Sequence, residues 1–242
     1  MPTPRRLSAA AFATALIACA PLLAHSQSLC SSDGQAQPVA LVERFINADC
    51  GDCWTQPPAV EPAASAMVLD WIVPGSRLGD DAPLAAAALR ESLERLEQLH
   101  RPVPQATDTY ISDIGPTAAA AAPGRLRVMV GPAVNDYRAA GISLPRGKAQ
   151  QPDYRYTLLL AETLPAGTEG SPVARNLVRN VLQDTWSQGN PLPQSARDLL
   201  WKETRPMRIP DGADPGRMNV VGWIEDASGR IVAAARSRCT AH

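Results

Sequence analysis

Apolar positions fall into short runs bounded by Pro, Gly, Asn and Asp, the pattern of buried strands. Residues 39–46 (VALVERFI) and 66–73 (AMVLDWIV) are two such runs, and Asn47, Asp49 and Gly51 mark a turn after the first. Pro57, Pro58 and Pro62 suit the first turn of a helix before the second run. Residues 83–100 change period. Leu89, Leu93, Leu96 and Leu99 share one helical face, while Arg90 with Glu94 and Glu91 with Arg95 form i,i+4 pairs on the other, so the spacing predicts an amphipathic helix laid on a sheet. Pro102 stops it, and a short strand at 109–112 and an Ala-rich helix through Ala122 follow. Strand, turn, helix, strand, helix and a proline corner at Val103-Pro104-Gln105 make an α/β pattern.

The second half has a different texture. Runs at 126–130, 154–161, 218–224 and 230–235 predict strands, the last two joined by a hairpin at Asp226-Ala227-Ser228-Gly229. Residues 173–186 place Leu177, Val178, Val181, Leu182 and Trp186 at helical spacing and predict a helix, with a second short one at 196–202. Segments 141–152 and 206–217, rich in Pro, Gly and polar residues, predict loops. No internal repeat is visible.

Arg5 and Arg6 precede an apolar run at 7–24, broken by Pro21 and followed by His25-Ser26-Gln27. A charged, then apolar, then polar series is a secretory signal, here residues 1–26 with cleavage after Ser26. Leu16-Ile17-Ala18-Cys19 offers a rival cut, at which Cys19 becomes a lipidated first residue and anchors the protein to a membrane. The expected location is periplasmic or secreted, with the lipoprotein as alternative. Loss of Arg5 and Arg6 takes the net charge from −1 to −3, leaving 21 basic against 24 acidic residues. No basic field is available for a phosphate backbone, so nucleic acid is excluded as an expected partner. The three histidines, His25, His100 and His242, are too few for a clustered metal site and poorly suited to a Ser-His-Asp apparatus. No organic cofactor motif is present, and none is expected.

Cysteine usage carries the sharpest inference. Cleavage at Ser26 leaves Cys30, Cys50, Cys53 and Cys239 in a chain sent to an oxidising compartment, where two disulfides are expected. Cys50 and Cys53 form a C-x-x-C too tight to staple distant segments, so the economical pairing leaves a structural bridge between Cys30 and Cys239. Four thiolates on one zinc ion are the other use of these residues, but a single C-x-x-C with two isolated cysteines lacks the paired spacing of a zinc ribbon.

Val42-Glu43-Arg44-Phe45 leading into Cys50-Gly51-Asp52-Cys53 and a Pro-Pro pair comes first, followed by Val103-Pro104-Gln105 and the segment 170–186. Val220-Val221-Gly222-Trp223-Ile224-Glu225-Asp226 and Gly229-Arg230-Ile231-Val232-Ala233-Ala234-Ala235 complete the series. In this order and spacing the segments resemble an uncharacterised family of secreted bacterial thioredoxin-like proteins. The resemblance spans residues 39–235, and the aromatic-rich segment usual after the family's second strand is reduced here to Leu69-Asp70-Trp71-Ile72. It implies an α/β fold, with a thioredoxin-like domain at 38–123 followed by a β-rich region at 124–239. It also implies that Pro104 is a cis proline facing the dithiol and the substrate.

By the same analogy Cys50 attacks and Cys53 resolves, in exchange with a protein or small-molecule thiol or disulfide. Two features oppose a reactive thiolate. Asp49 and Asp52 flank Cys50 with like charge, and Pro57 and Pro58 allow the following helix to begin only near Thr55. The alternative is a non-catalytic envelope binding module in which the Cys50–Cys53 bridge is structural. Trp54 can shield the dithiol, form a docking surface or pack in the core. His100 reads as a helix-end residue, Asp81 as a helix-start residue, and Asp211 with Asp214 as an acidic turn too sparse for calcium.

Overall fold

The computed structural model describes residues 30–58, 62–114, 125–145, 153–187 and 199–239. The export signal, Cys19 and the Ala-rich segment ending at Ala122 lie outside these residues. The described residues form eleven strands: β1 (Cys30–Ser31), β2 (Ala40–Asn47), β3 (Ala66–Val73), β4 (Thr107–Asp113), β5 (Arg127–Val134), β6 (Tyr137–Pro145), β7 (Tyr154–Leu164), β8 (Arg175–Trp186), β9 (Leu199–Arg208), β10 (Met218–Glu225) and β11 (Ile231–Arg236). The described α-helices are α1 (Gly51–Thr55) and α2 (Arg90–Gln98).

The strands form a seven-stranded sheet in the order β11-β10-β7-β8-β3-β2-β4 and a four-stranded sheet in the order β1-β5-β6-β9. Pairing is antiparallel except for β2 with β3, in register from Ala40↔Ala66 to Asn47↔Val73, and a single ladder position of β3 with β8 at Asp70↔Leu177. The expected α/β architecture with a thioredoxin-like half is therefore incorrect. The fold is mainly β, and β2, β3 and β4 belong to the same sheet as β7, β8, β10 and β11. With helices of five and nine residues, no helical layer among the described residues covers both faces of a parallel sheet, as an α/β fold requires.

Instead the larger sheet buries one face against the smaller one. Val128, Val130, Ile142 and Leu144 of the small sheet meet Tyr156, Leu158, Leu160, Val220 and Ile224 of the large one. Gly222 lets the two sheets approach: a Cβ there would lie 2.9 Å from Val128 Cγ1 and 3.0 Å from Ile142 Cδ1. Trp186 and Trp201 stack at 5.6 Å between ring centres, and Tyr156 and Tyr154 extend this aromatic group. The opposite face, with Leu41, Phe45, Leu69, Trp71 and Trp223, is covered by α2 through Leu89, Leu93, Leu96 and Leu99. Trp71, Trp186, Trp201 and Trp223 are all core residues.

Several local expectations are corrected. The helix expected over 83–100 is restricted to Arg90–Gln98, preceded by 3₁₀ turns at Gly79–Asp81 and Ala85–Ala87, so Asp81 starts no α-helix. Arg95 does not face solvent beside Glu91; it is 2% exposed and bonded to Glu43 and Glu225. Residues 175–186, expected as a helix, are strand β8, and 199–202, expected as part of another, open strand β9. Strands β6 and β9 also extend into segments expected as loops. The hairpin at residues 226–229 joins β10 and β11, with Gly229 at φ +79°.

Candidate active site at the Cys50–Cys53 turn

Strand β2 carries the cysteines to the end of the sheet. Its last residue, Asn47, makes the turn: its Nδ2 donates to the Pro104 carbonyl at 2.8 Å, and its Oδ1 accepts from the Asp49 amide at 2.9 Å. Cys50 N–H donates to the Asn47 carbonyl at 3.0 Å, and Cys53 N–H to the Cys50 carbonyl at 3.1 Å. Cys50 is the N-cap of α1, which starts at Gly51, four residues before the expected start at Thr55, and ends before Pro57 and Pro58. Cys50 and Cys53 are joined by a disulfide, and both are half-buried. Cys30 and Cys239 form the second disulfide, so the four cysteines among the described residues are paired with one another rather than gathered on a metal. Two disulfides are those of a chain that folds outside the reducing cytoplasm. Among the described residues no helix is long and apolar enough to cross a membrane.

Pro104 is buried at this end of the sheet, and its carbonyl accepts from Asn47 in the turn. The described residues contain no cis peptide bond, so the expected cis proline is corrected to a trans one. Asp49, expected to repel a Cys50 thiolate, points elsewhere. Its carboxylate is 5% exposed and accepts the amides of Arg77 at 2.9 Å and Leu78 at 3.1 Å, with the Arg77 guanidinium at 3.8 Å. Asp52 is exposed.

Trp54 is the buried member of the motif. Its indole N–H donates to the Glu169 carbonyl at 2.7 Å, and the Arg175 guanidinium lies over its ring at 4.5 Å. Arg175 donates to the Trp54 carbonyl at 2.7 Å and the Gln56 carbonyl at 3.0 Å. Behind it Asp70, fully buried, bridges Arg175 at 3.2 Å and Arg44 at 2.8 Å. Burial pulls the Arg175 guanidinium below its ordinary pKa; Asp70 opposes that fall and Arg44 adds to it. Sequence reasoning missed this network, although a charge at Arg44 and at Asp70 inside two apolar strands is a signal for one.

Elsewhere His100 ends α2 at φ +53°, a helix-end position, and Asp214 caps a 3₁₀ turn by accepting from Gly216 N–H at 2.7 Å. Among the described residues no three His, Cys, Asp or Glu side chains converge to hold a metal. Comparison with known protein families, curated proteins and solved structures yields no match to this chain.

Proposed function

We propose that this protein is exported and carries out thiol–disulfide exchange through Cys50 and Cys53, with a protein or small-molecule thiol or disulfide as partner. The observation that supports this reading best is the frame of the motif. The bridge spans only two intervening residues, inside a turn already held by the bonds of Asn47 to Pro104, Asp49 and Cys50. Opening the bridge leaves that frame in place, and both cysteines are half-buried rather than enclosed. In the reduced state the Cys50 thiolate attacks a partner disulfide and one partner sulfur leaves as thiolate. Cys53, once deprotonated, then displaces the second partner sulfur from the mixed disulfide. The partner gains two electrons and the Cys50–Cys53 bridge closes; run in reverse, the closed bridge oxidises a partner dithiol.

The surroundings set the direction. A five-residue α1 contributes little dipole. Cys50 thus lacks a strong stabiliser of its thiolate, and a couple whose reduced form is not stabilised lies toward the reducing end of the scale.

Trp54 favours a second reading, a non-catalytic envelope binding module with a structural bridge. The turn presents the Trp54 and Gln56 carbonyls to buried Arg175, so the bridge also fixes part of an ion network. Differential thiol alkylation with peptide mass spectrometry across a graded thiol buffer separates the two. Exchange predicts that Cys50–Cys53 opens at a potential well above that of Cys30–Cys239 while the protein stays folded. It also predicts that Cys53→Ser traps a mixed disulfide and Cys50→Ser does not. Bridges that open together, and only on unfolding, establish the structural reading instead.

A further inference from the structure

Buried arginines in this fold come with carboxylates: Arg44 and Arg175 with Asp70, Arg95 with Glu43 and Glu225, and Arg179 with Glu162. Arg236, only partly buried, departs from this. At the end of β11 its Nε donates to Asn219 Oδ1 at 3.0 Å, and its Nη2 to Thr163 Oγ1 at 2.7 Å and Asn176 Oδ1 at 2.8 Å. All three acceptors are neutral. Among the described residues neither Arg236 nor Arg238 pairs with a carboxylate. Burial, and the positive charge of Arg238, pull the Arg236 guanidinium below its ordinary pKa, as expected where no described anion offsets the cation.

Both guanidinium side chains line a cleft of about 200 Å³ at the starts of β2 and β3. Its other walls include Gln35 and Gln37, which are neutral, and Ala64 and Met67, which are apolar; among the described residues no Asp or Glu lines it. We propose that this cleft binds a small organic carboxylate. The carboxylate would lie on Arg236 and Arg238, where charge-assisted bonds in a partly dry site are strongest, and the carbon chain against Ala64 and Met67. At roughly 30 Å³ per water molecule the volume suits a ligand of a few heavy atoms. The apolar wall separates an organic acid from inorganic phosphate, which shares the charge but has nothing to place against a methyl or thioether group. The cleft lies at the opposite end of β2 from Cys50, roughly 25 Å along an eight-residue strand, and the proposal does not depend on the chemistry of the dithiol.

Calorimetric titration of the full exported protein with butyrate at low ionic strength tests it, with inorganic phosphate as competitor. The expected result is saturable butyrate binding, weakened at least tenfold in Arg238→Gln, whose exposed side chain leaves the fold intact by circular dichroism, and undisturbed by phosphate at equal concentration. Absence of saturable binding, equal binding by Arg238→Gln, or displacement of butyrate by phosphate overturns the assignment.

Discussion

Gly75 and Asp49 show how one missing side chain builds a site. A Cβ on Gly75 would collide with the Asp49 carboxylate, which is seated against the amides of Arg77 and Leu78. Gly75→Ala is expected to destabilise the protein by about 2 kcal/mol, as overpacking of a closed site does, and by much less in an Asp49→Ala background. Urea unfolding of the two single variants and the double variant measures the coupling, and additive effects would contradict the contact. Arg95 is the larger case. It is held between Glu43 at 2.7 Å and Glu225 at 2.8 Å, with Trp223 beneath its guanidinium at 5.1 Å. Removing it leaves two buried carboxylates unpaired, so Arg95→Met should cost about 3–5 kcal/mol at pH 7. Adding Glu43→Gln to Arg95→Met should recover part of that deficit in urea unfolding, because one of the two unpaired charges is removed; no recovery would show that lost packing, not charge, is responsible. The sequence shows Arg95 as one half of a surface i,i+4 pair because helical spacing reports only its own helix. The partners that bury it come from β2 and β10, 52 and 130 residues away.

Elements whose apolar runs are continuous were legible in the sequence: β3 is found at residues 66–73 as expected, and β2, β7, β10 and β11 differ by a few residues at their ends. Strand β8 was not, and its ladder explains why. Pairing with β7 passes from Leu160↔Asn180 to Ala161↔Val178, so Arg179 is an extra residue and the inward alternation changes phase in mid-strand. Leu177, Val178, Val181 and Leu182 then recur at three and four residues and imitate a helix. Strand β9 was hidden by Pro206, which an edge strand of the smaller sheet accommodates. The Cys50–Cys53 turn was legible as a motif, whereas Arg175, which packs on it, lies 121 residues from Trp54 and left no local trace. Junctions between elements also set the acid response. Arg101 holds the Asp108 carboxyl below its usual pKa at the entry to β4, and Arg127 with Ser31 does the same for Asp33 beside β1. Burial raises Asp226, but bonds from Ser228 and Arg230 across the β10–β11 turn outweigh it. Each carboxyl is lowered on folding, so its contribution is complete above an unfolded value of about 3.9 and is lost as pH falls through the folded one. Urea midpoints should therefore decline below about pH 4, and less steeply in the Asp33→Asn, Asp108→Asn, Asp226→Asn variant; an unchanged slope would assign the acid response to other groups.

At the scale of the molecule, the two disulfides have opposite reach. Cys50–Cys53 closes a loop with a sequence separation of 3 and Cys30–Cys239 one of 209. The long bridge joins the two ends of the described chain where they already meet: Ser31 N–H donates to the Arg238 carbonyl at 3.2 Å, and Arg238 N–H to the Ser31 carbonyl at 2.9 Å. Cys30 itself pairs with Val130 in β5 and packs in the core between the sheets. Native geometry is therefore kept without the bridge, and its effect falls on the unfolded chain, which it forces into a closed ring. Chain-entropy scaling puts that effect at about 5 kcal/mol for the long loop and about 2 kcal/mol for the short one. The Cys30→Ser, Cys239→Ser variant is accordingly expected to lose about 5 kcal/mol in urea unfolding, mostly as a lower midpoint. The slope should rise slightly, because an unfolded chain released from its ring exposes more surface. The Cys50→Ser, Cys53→Ser variant should lose less than half as much with its slope unchanged. Equal losses would mean that the short bridge stabilises the folded state directly, through Trp54 and its grip on Arg175, and would weigh against a bridge that opens and closes in exchange.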